Sequence, residues 1–121
     1  MKLSSLIVPP VVQNGTRDHV ILDCPYELQP HEDGIVLKWY LNSKTVPIYQ
    51  WIPPSHPQGL GSMRHKLYLD YEISADPYKR HRALYIVEPT VEMSGLYTCK
   101  VSTLENEASQ SSTMVVYTPP R

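Results

Sequence analysis

The period that recurs along this chain is two. Across residues 19–24, Val20, Leu22 and Cys24 fall on one face and His19, Ile21 and Asp23 on the other, which is the alternation of a half-buried β-strand. Residues 35–41 repeat it: Ile35, Leu37, Trp39 and Leu41 face one side, Val36, Lys38 and Tyr40 the other. Residues 48–52, 66–71, 83–87, 96–102 and 113–117 predict further strands. An early strand over residues 3–8 breaks at Pro9-Pro10 and resumes at Val11-Val12. Proline cannot donate to a ladder, so that break belongs on an edge strand. Turn residues separate the runs: Asn14-Gly15, Asp33-Gly34, Asn42-Ser43-Lys44, the Pro-rich excursion of residues 53–59, Asp76-Pro77 and Ser94-Gly95. Many short strands with neither a helical period nor an internal repeat predict an all-β sandwich or barrel.

The length of 121 residues suits one domain, expected to occupy residues 1–121. Eleven Lys and Arg against twelve Asp and Glu leave a net charge of −1, which argues against nucleic-acid partners, since those demand a basic stripe. No apolar run approaches the roughly 18 residues of a membrane span, and residues 3–8 are too short and too soon broken for a signal-peptide core. Met1 therefore reads as the start of a piece excised from a longer extracellular protein, with any membrane attachment outside it. There is no Phe, so nine Tyr and two Trp supply every aromatic side chain. Each carries a hydrogen-bonding group suited to a wet surface as well as to a core.

Cys24 and Cys99 stand 75 positions apart on apolar strand faces, with Trp39 fifteen residues after the first and Tyr97 two before the second. In an immunoglobulin sandwich two such cysteines bridge the sheets, a Trp packs on the bridge, and a Tyr hydroxyl bonds back to the corner before its strand. Free core thiols and metal ligation are the competing readings. The agreement of four residue types in spacing and parity opposes the first, and the lack of His at zinc-like spacing opposes the second. A disulfide implies an oxidising compartment. Asn14-Gly15-Thr16 matches a glycosylation acceptor, and Asn14 is the expected site. The long interval between Trp39 and Leu84 leaves room for C′ over residues 46–51 and an irregular C″, which favours a V-type domain.

The chain resembles the first immunoglobulin domain of the insect beaten-path family of neuronal cell-surface and secreted proteins. The resemblance rests on Leu22-Asp23-Cys24-Pro25-Tyr26-Glu27-Leu28, Leu37-Lys38-Trp39-Tyr40, Ile48-Tyr49-Gln50-Trp51-Ile52-Pro53-Pro54 and Ser94-Gly95 through Ser102. It implies adhesion or axon guidance, with partners in the sidestep family of immunoglobulin receptors. Two features depart from the pattern. Met93 stands where variable domains usually carry an Asp that pairs with a basic residue across the sheet bottom, and the connection of residues 71–82 is idiosyncratic.

Strand parity assigns an outward face on C, C′, F and G to Val36, Lys38, Tyr40, Thr98, Lys100 and Ser102. Tyr49 and Trp51 are expected to join them, with Leu104 at the tip of the loop beyond. Aromatic residues concentrate binding energy, so this face is the candidate for recognising another extracellular immunoglobulin receptor. The alternative for Tyr49 and Trp51 is that they plug the sheet end or pack on a neighbouring domain. A spacer module without a ligand, and homophilic pairing into a homodimer, are the competing functions. The basic run Lys79-Arg80-His81-Arg82 offers a sulfated-glycan site, against a solvated turn as the blander reading. No catalytic constellation, phosphate loop or metal motif is found among the five His or elsewhere, so no enzyme activity, cofactor or metal is expected.

Overall fold

The computed structural model describes residues 1–15 and 18–120. In chain order its strands are β1 (Lys2–Leu3), β2 (Val11–Gln13), β3 (His19–Leu22), β4 (Tyr26–Glu27), β5 (Val36–Leu41), β6 (Tyr49–Trp51), β7 (Gln58–Gly59), β8 (Leu84–Val87), β9 (Gly95–Ser102) and β10 (Glu107–Tyr117). Two 3₁₀ turns, Gly61–Lys66 and Val91–Met93, are the helical pieces among the described residues.

One sheet runs β2-β10-β9-β5-β6-β7. The opposing layer holds the pairs β3-β8 and β1-β4, extended by the bridges Ile7–Asp23 and Leu67–Ile86. The presence of β6 and β7 beside β5 is the variable-type arrangement of the immunoglobulin sandwich. The proline break has a topological consequence. Before it, Lys2 and Leu3 pair antiparallel with Glu27 and Tyr26; after it, Val11–Gln13 run parallel to Val115–Tyr117. The chain changes sheets across Pro9 and Pro10.

Three expected strands differ in extent; the one expected over residues 3–8 is reduced to Lys2–Leu3 and the Ile7 bridge. The alternation over residues 66–71 does not become a strand: a 3₁₀ turn occupies Gly61–Lys66 and only Leu67 bridges to β8. Conversely, the final strand begins at Glu107 rather than 113, because residues 107–114 pair continuously with β9. That stretch is Ser-rich and carries little hydrophobic signal, so its strand character comes from the hairpin.

The core lies between the layers. Cys24 and Cys99 are joined, with Cα atoms 6.3 Å apart. Trp39 sits opposite Cys99 in the β5–β9 ladder, and all three are completely buried. Closing so long a loop stabilises the fold by roughly 4–5 kcal/mol in the chain-entropy treatment. The Tyr97 hydroxyl donates to the Met93 carbonyl at 2.6 Å, closing the corner before β9. Met93 is itself buried in the core, so a thioether packs where variable domains usually place a carboxylate. A partly buried ion pair occurs elsewhere: Arg82 grips Asp23 with two bonds, Nε–Oδ1 at 2.9 Å and a second N–H to Oδ2 at 3.2 Å.

Candidate protein-binding face

The antiparallel register arranges the outer face of the larger sheet in lateral rows. Val36, Ser102 and Glu107 form one; Gln50, Lys38, Lys100 and Ser109 form the next; Tyr40, Thr98 and Ser111 form a third. Val36, Lys38, Lys100 and Ser102 are half-exposed. Tyr40 and Thr98 share their face but are only 4% and 5% exposed. The Thr98 hydroxyl is tied to that of Ser111 at 2.8 Å. Tyr40 is thus buried without belonging to the core between the sheets, and a partner would meet little of it.

Tyr49 and Trp51 do not lie on this face. The β5–β6 register sets Trp39 opposite Tyr49 and Leu37 opposite Trp51, and direct cross-strand partners share a face. Both rings therefore point inward and are 3% and 2% exposed, within the core. Parity along residues 48–52 correctly groups the two rings but leaves their side open until the hairpin register is known. The available signal was Gln50, a polar residue between two rings, which belongs on the wet side and faces Lys38 from β6.

The inward rings spend their polar tips on one segment. Tyr49 donates its hydroxyl to the His81 carbonyl at 2.6 Å, the Trp39 indole N–H goes to the Arg82 carbonyl at 3.0 Å, and the Tyr26 hydroxyl to the Tyr78 carbonyl. Burial pushes the phenols of Tyr26, Tyr49 and Tyr97 well above the usual range. The idiosyncratic connection is therefore pinned by three aromatic donors. Its basic run is also neutralised within the chain: Lys79 pairs with Glu27 at 2.9 Å, Arg80 with Glu72 at 3.1 Å and Arg82 with Asp23. His81 stands edge-on to Trp51, and its Nδ1–H donates to the Tyr71 carbonyl at 2.9 Å. These partners oppose the glycan reading of the run.

At the loop end of the outer face, Leu104 is 80% exposed. Its mount is firm. The Leu104 amide donates to the Asp33 carbonyl at 2.9 Å, and the Thr103 amide to the Asn106 carbonyl at 2.8 Å. Gly34 passes directly beneath: a Cβ there would stand 2.8 Å from Leu104 Cγ, and its φ of +70° already favours glycine. Glu32 ties the two loops together. Its carboxylate accepts from the Met1 amino group at 2.6 Å, the Gln29 amide at 2.9 Å and the Asn106 side-chain amide at 2.9 Å. Those donors, the ammonium foremost, hold its carboxyl at about 2. The neighbouring groove of about 580 Å³ between residues 27–35 and Asp76, Tyr78 and Lys79 is lined largely by groups already paired within the chain.

The opposite sheet's outer face carries a cluster that strand parity alone did not single out. His19 stacks on Tyr85 at 4.7 Å, with Tyr68 and Tyr71 packed against the same ring at 5.2 and 5.1 Å. Tyr68 stays half exposed in this cluster. Asn14 follows β2, and there its amide N–H donates to the Tyr117 carbonyl at 2.7 Å and its side chain reaches Thr118 at 3.3 Å. Thr16 of the acceptor triplet lies outside the described residues. No cluster of three metal-ligating side chains is found among the described residues, and no helix there is long and apolar enough to cross a membrane.

These features define an immunoglobulin-like V-type sandwich with an intersheet disulfide, and solved structures agree. The amphioxus IgVJ-C2 molecule is similar with a TM-score of 0.67 and 18% identity, over 92% of this chain and 57% of that one. Murine CRIg is similar with a TM-score of 0.62 and 17% identity, over 96% of this chain and 98% of that one. The chain thus spans just over half of the amphioxus molecule. No protein-family model and no curated protein sequence matches.

Proposed function

We propose that this chain is an extracellular recognition module that binds another immunoglobulin-family receptor through the outer face of β5, β9 and β10. Adhesion or axon guidance is the cellular role that fits the beaten-path resemblance, with a sidestep-like receptor as the partner class. One observation carries the reading: Val36, Lys38, Lys100 and Ser102 leave the loop-end half of this face half-exposed, while a braced loop holds Leu104 out beside it at 80% exposure. A rigid, uncovered apolar tip next to a half-polar sheet is the anatomy of a contact surface, in which an apolar anchor sits within a polar surround. The intersheet disulfide fits an oxidising, extracellular setting. The inward placement of Tyr49 and Trp51 moves the expected anchors to Val36, Lys38, Lys100 and Leu104.

The test is a steric wedge. Ser109→Asn creates a glycosylation acceptor with the unchanged Gln110 and Ser111, on an exposed outward position beside Lys100. Expressed in secreting cells, the glycosylated variant should melt like the parent and lose binding to receptor ectodomains. Retained binding by the fully glycosylated variant counts against this face, and favours a spacer role or another surface.

A further inference from the structure

The register sets two lysines side by side at the middle of the outer face. Lys38 of β5 and Lys100 of β9 are direct cross-strand partners, and such partners stand about 4.5–5.5 Å apart at Cβ. Glu107 answers Lys100 at 3.0 Å. Lys38 has no carboxylate partner among the described residues. Its other lateral neighbour is Gln50, and beyond Lys100 comes Ser109, so the row offers hydrogen bonds and no second acid. Like charges directly opposite destabilise a sheet. Folding therefore gains nothing from this arrangement, in contrast to Lys79, Arg80 and Arg82, each of which has its own carboxylate.

We infer that the partner docked on this face is a different protein that presents a carboxylate to Lys38. The inference rests on the face being the docking surface, and it adds the partner's chemistry. A second copy of the chain is a poor occupant, because a two-fold contact apposes the same patch on both subunits. With the axis through this row the two lysine pairs would converge, and like-charge juxtaposition is how interfaces reject wrong partners. An acidic group from another protein relieves the repulsion between Lys38 and Lys100 on docking. Val36 and Leu104, toward the loop end, supply apolar contact beside it.

The probe is this chain displayed multivalently, which raises avidity, applied to a library of extracellular immunoglobulin-domain ectodomains; affinity is then measured for the strongest binder. Lys38→Glu, with an unchanged melting curve, is expected to weaken that binding by at least about tenfold, as loss of a desolvated charge pair does. Lys38→Gln should weaken it less, and rising salt should weaken the parent complex more than the Lys38→Gln complex. If Lys38→Glu binds like the parent while the Ser109→Asn glycan abolishes binding, the acidic-partner inference fails and the face reading stands. If the glycan leaves binding intact, both fail. Parent chain that sediments as a dimer, and becomes monomeric with the glycan at position 109, also overturns the inference.

Discussion

The molecule carries two basic clusters that differ in how they are built. Lys79, Arg80 and Arg82 are close in the chain, and each ends on its own carboxylate, from Glu27, Glu72 and Asp23. Lys38 and Lys100 are far apart in the chain and brought together by the β5–β9 register, and the one carboxylate beside them, Glu107, pairs with Lys100 alone. A contiguous run of charge draws the eye in a sequence, yet here it is structural: it fastens the connection into β8 over the core. The unbalanced pair becomes visible only once two strands are aligned. Charge left over after internal pairing, not charge counted along the chain, is what the proposed recognition would use.

Substitutions can break this contrast. The largest effect belongs to the paired cluster: Arg82→Met leaves the Asp23 carboxylate with the Cys24 amide as its remaining donor and should cost about 3 kcal/mol in urea denaturation. A loss below about 1 kcal/mol would mean that the bidentate pair matters little to the fold. Next comes Tyr49→Phe, which removes the hydroxyl held by the His81 carbonyl and should lower stability by about 1 kcal/mol. Because the buried phenols are pushed up from the ordinary 10, the stability they supply is fully present below pH 10 and is lost as pH rises beyond it. Tyr49→Phe should blunt that alkaline loss.

Glu32 acts on the acid side. Its carboxyl is held down from the ordinary 4.5 to about 2, so its contribution is complete above pH 4.5 and disappears as pH falls towards 2. Melting temperature followed across that window should fall more steeply for the parent than for Glu32→Gln; parallel curves would remove Glu32 as the link between the two loops. The smallest change is expected at the unpaired cluster. Lys38→Gln relieves a like-charge neighbour and should leave stability unchanged or raise it by up to about 0.5 kcal/mol. A marked loss there would show that Lys38 has a structural role after all.

How far the sequence reaches depends on whether a feature lies within one strand or between two. Cys24, Trp39, Tyr97 and Cys99 were legible because spacing and parity along the chain constrain all four together, and the structure joins them as expected. The face of Tyr49 and Trp51 was not, because it depends on how β6 registers on β5. Residues 66–71 alternate properly, but the 3₁₀ turn before them leaves Leu67 as the only bridge to β8. The Ser-rich start of β10 has almost no hydrophobic pattern and becomes a strand through its ladder with β9. Of the expected face, Val36, Lys38, Lys100 and Leu104 are exposed or half-exposed, Tyr40 and Thr98 are covered in place, and the two C′ rings belong to the core.

Leu104 is where fold and recognition separate most cleanly, since its side chain is almost wholly in solvent while its backbone is braced. The decisive measurement pairs urea denaturation with ectodomain binding for Leu104→Asp. An unchanged midpoint together with lost binding is the predicted outcome; a lowered midpoint with binding intact would contradict the account.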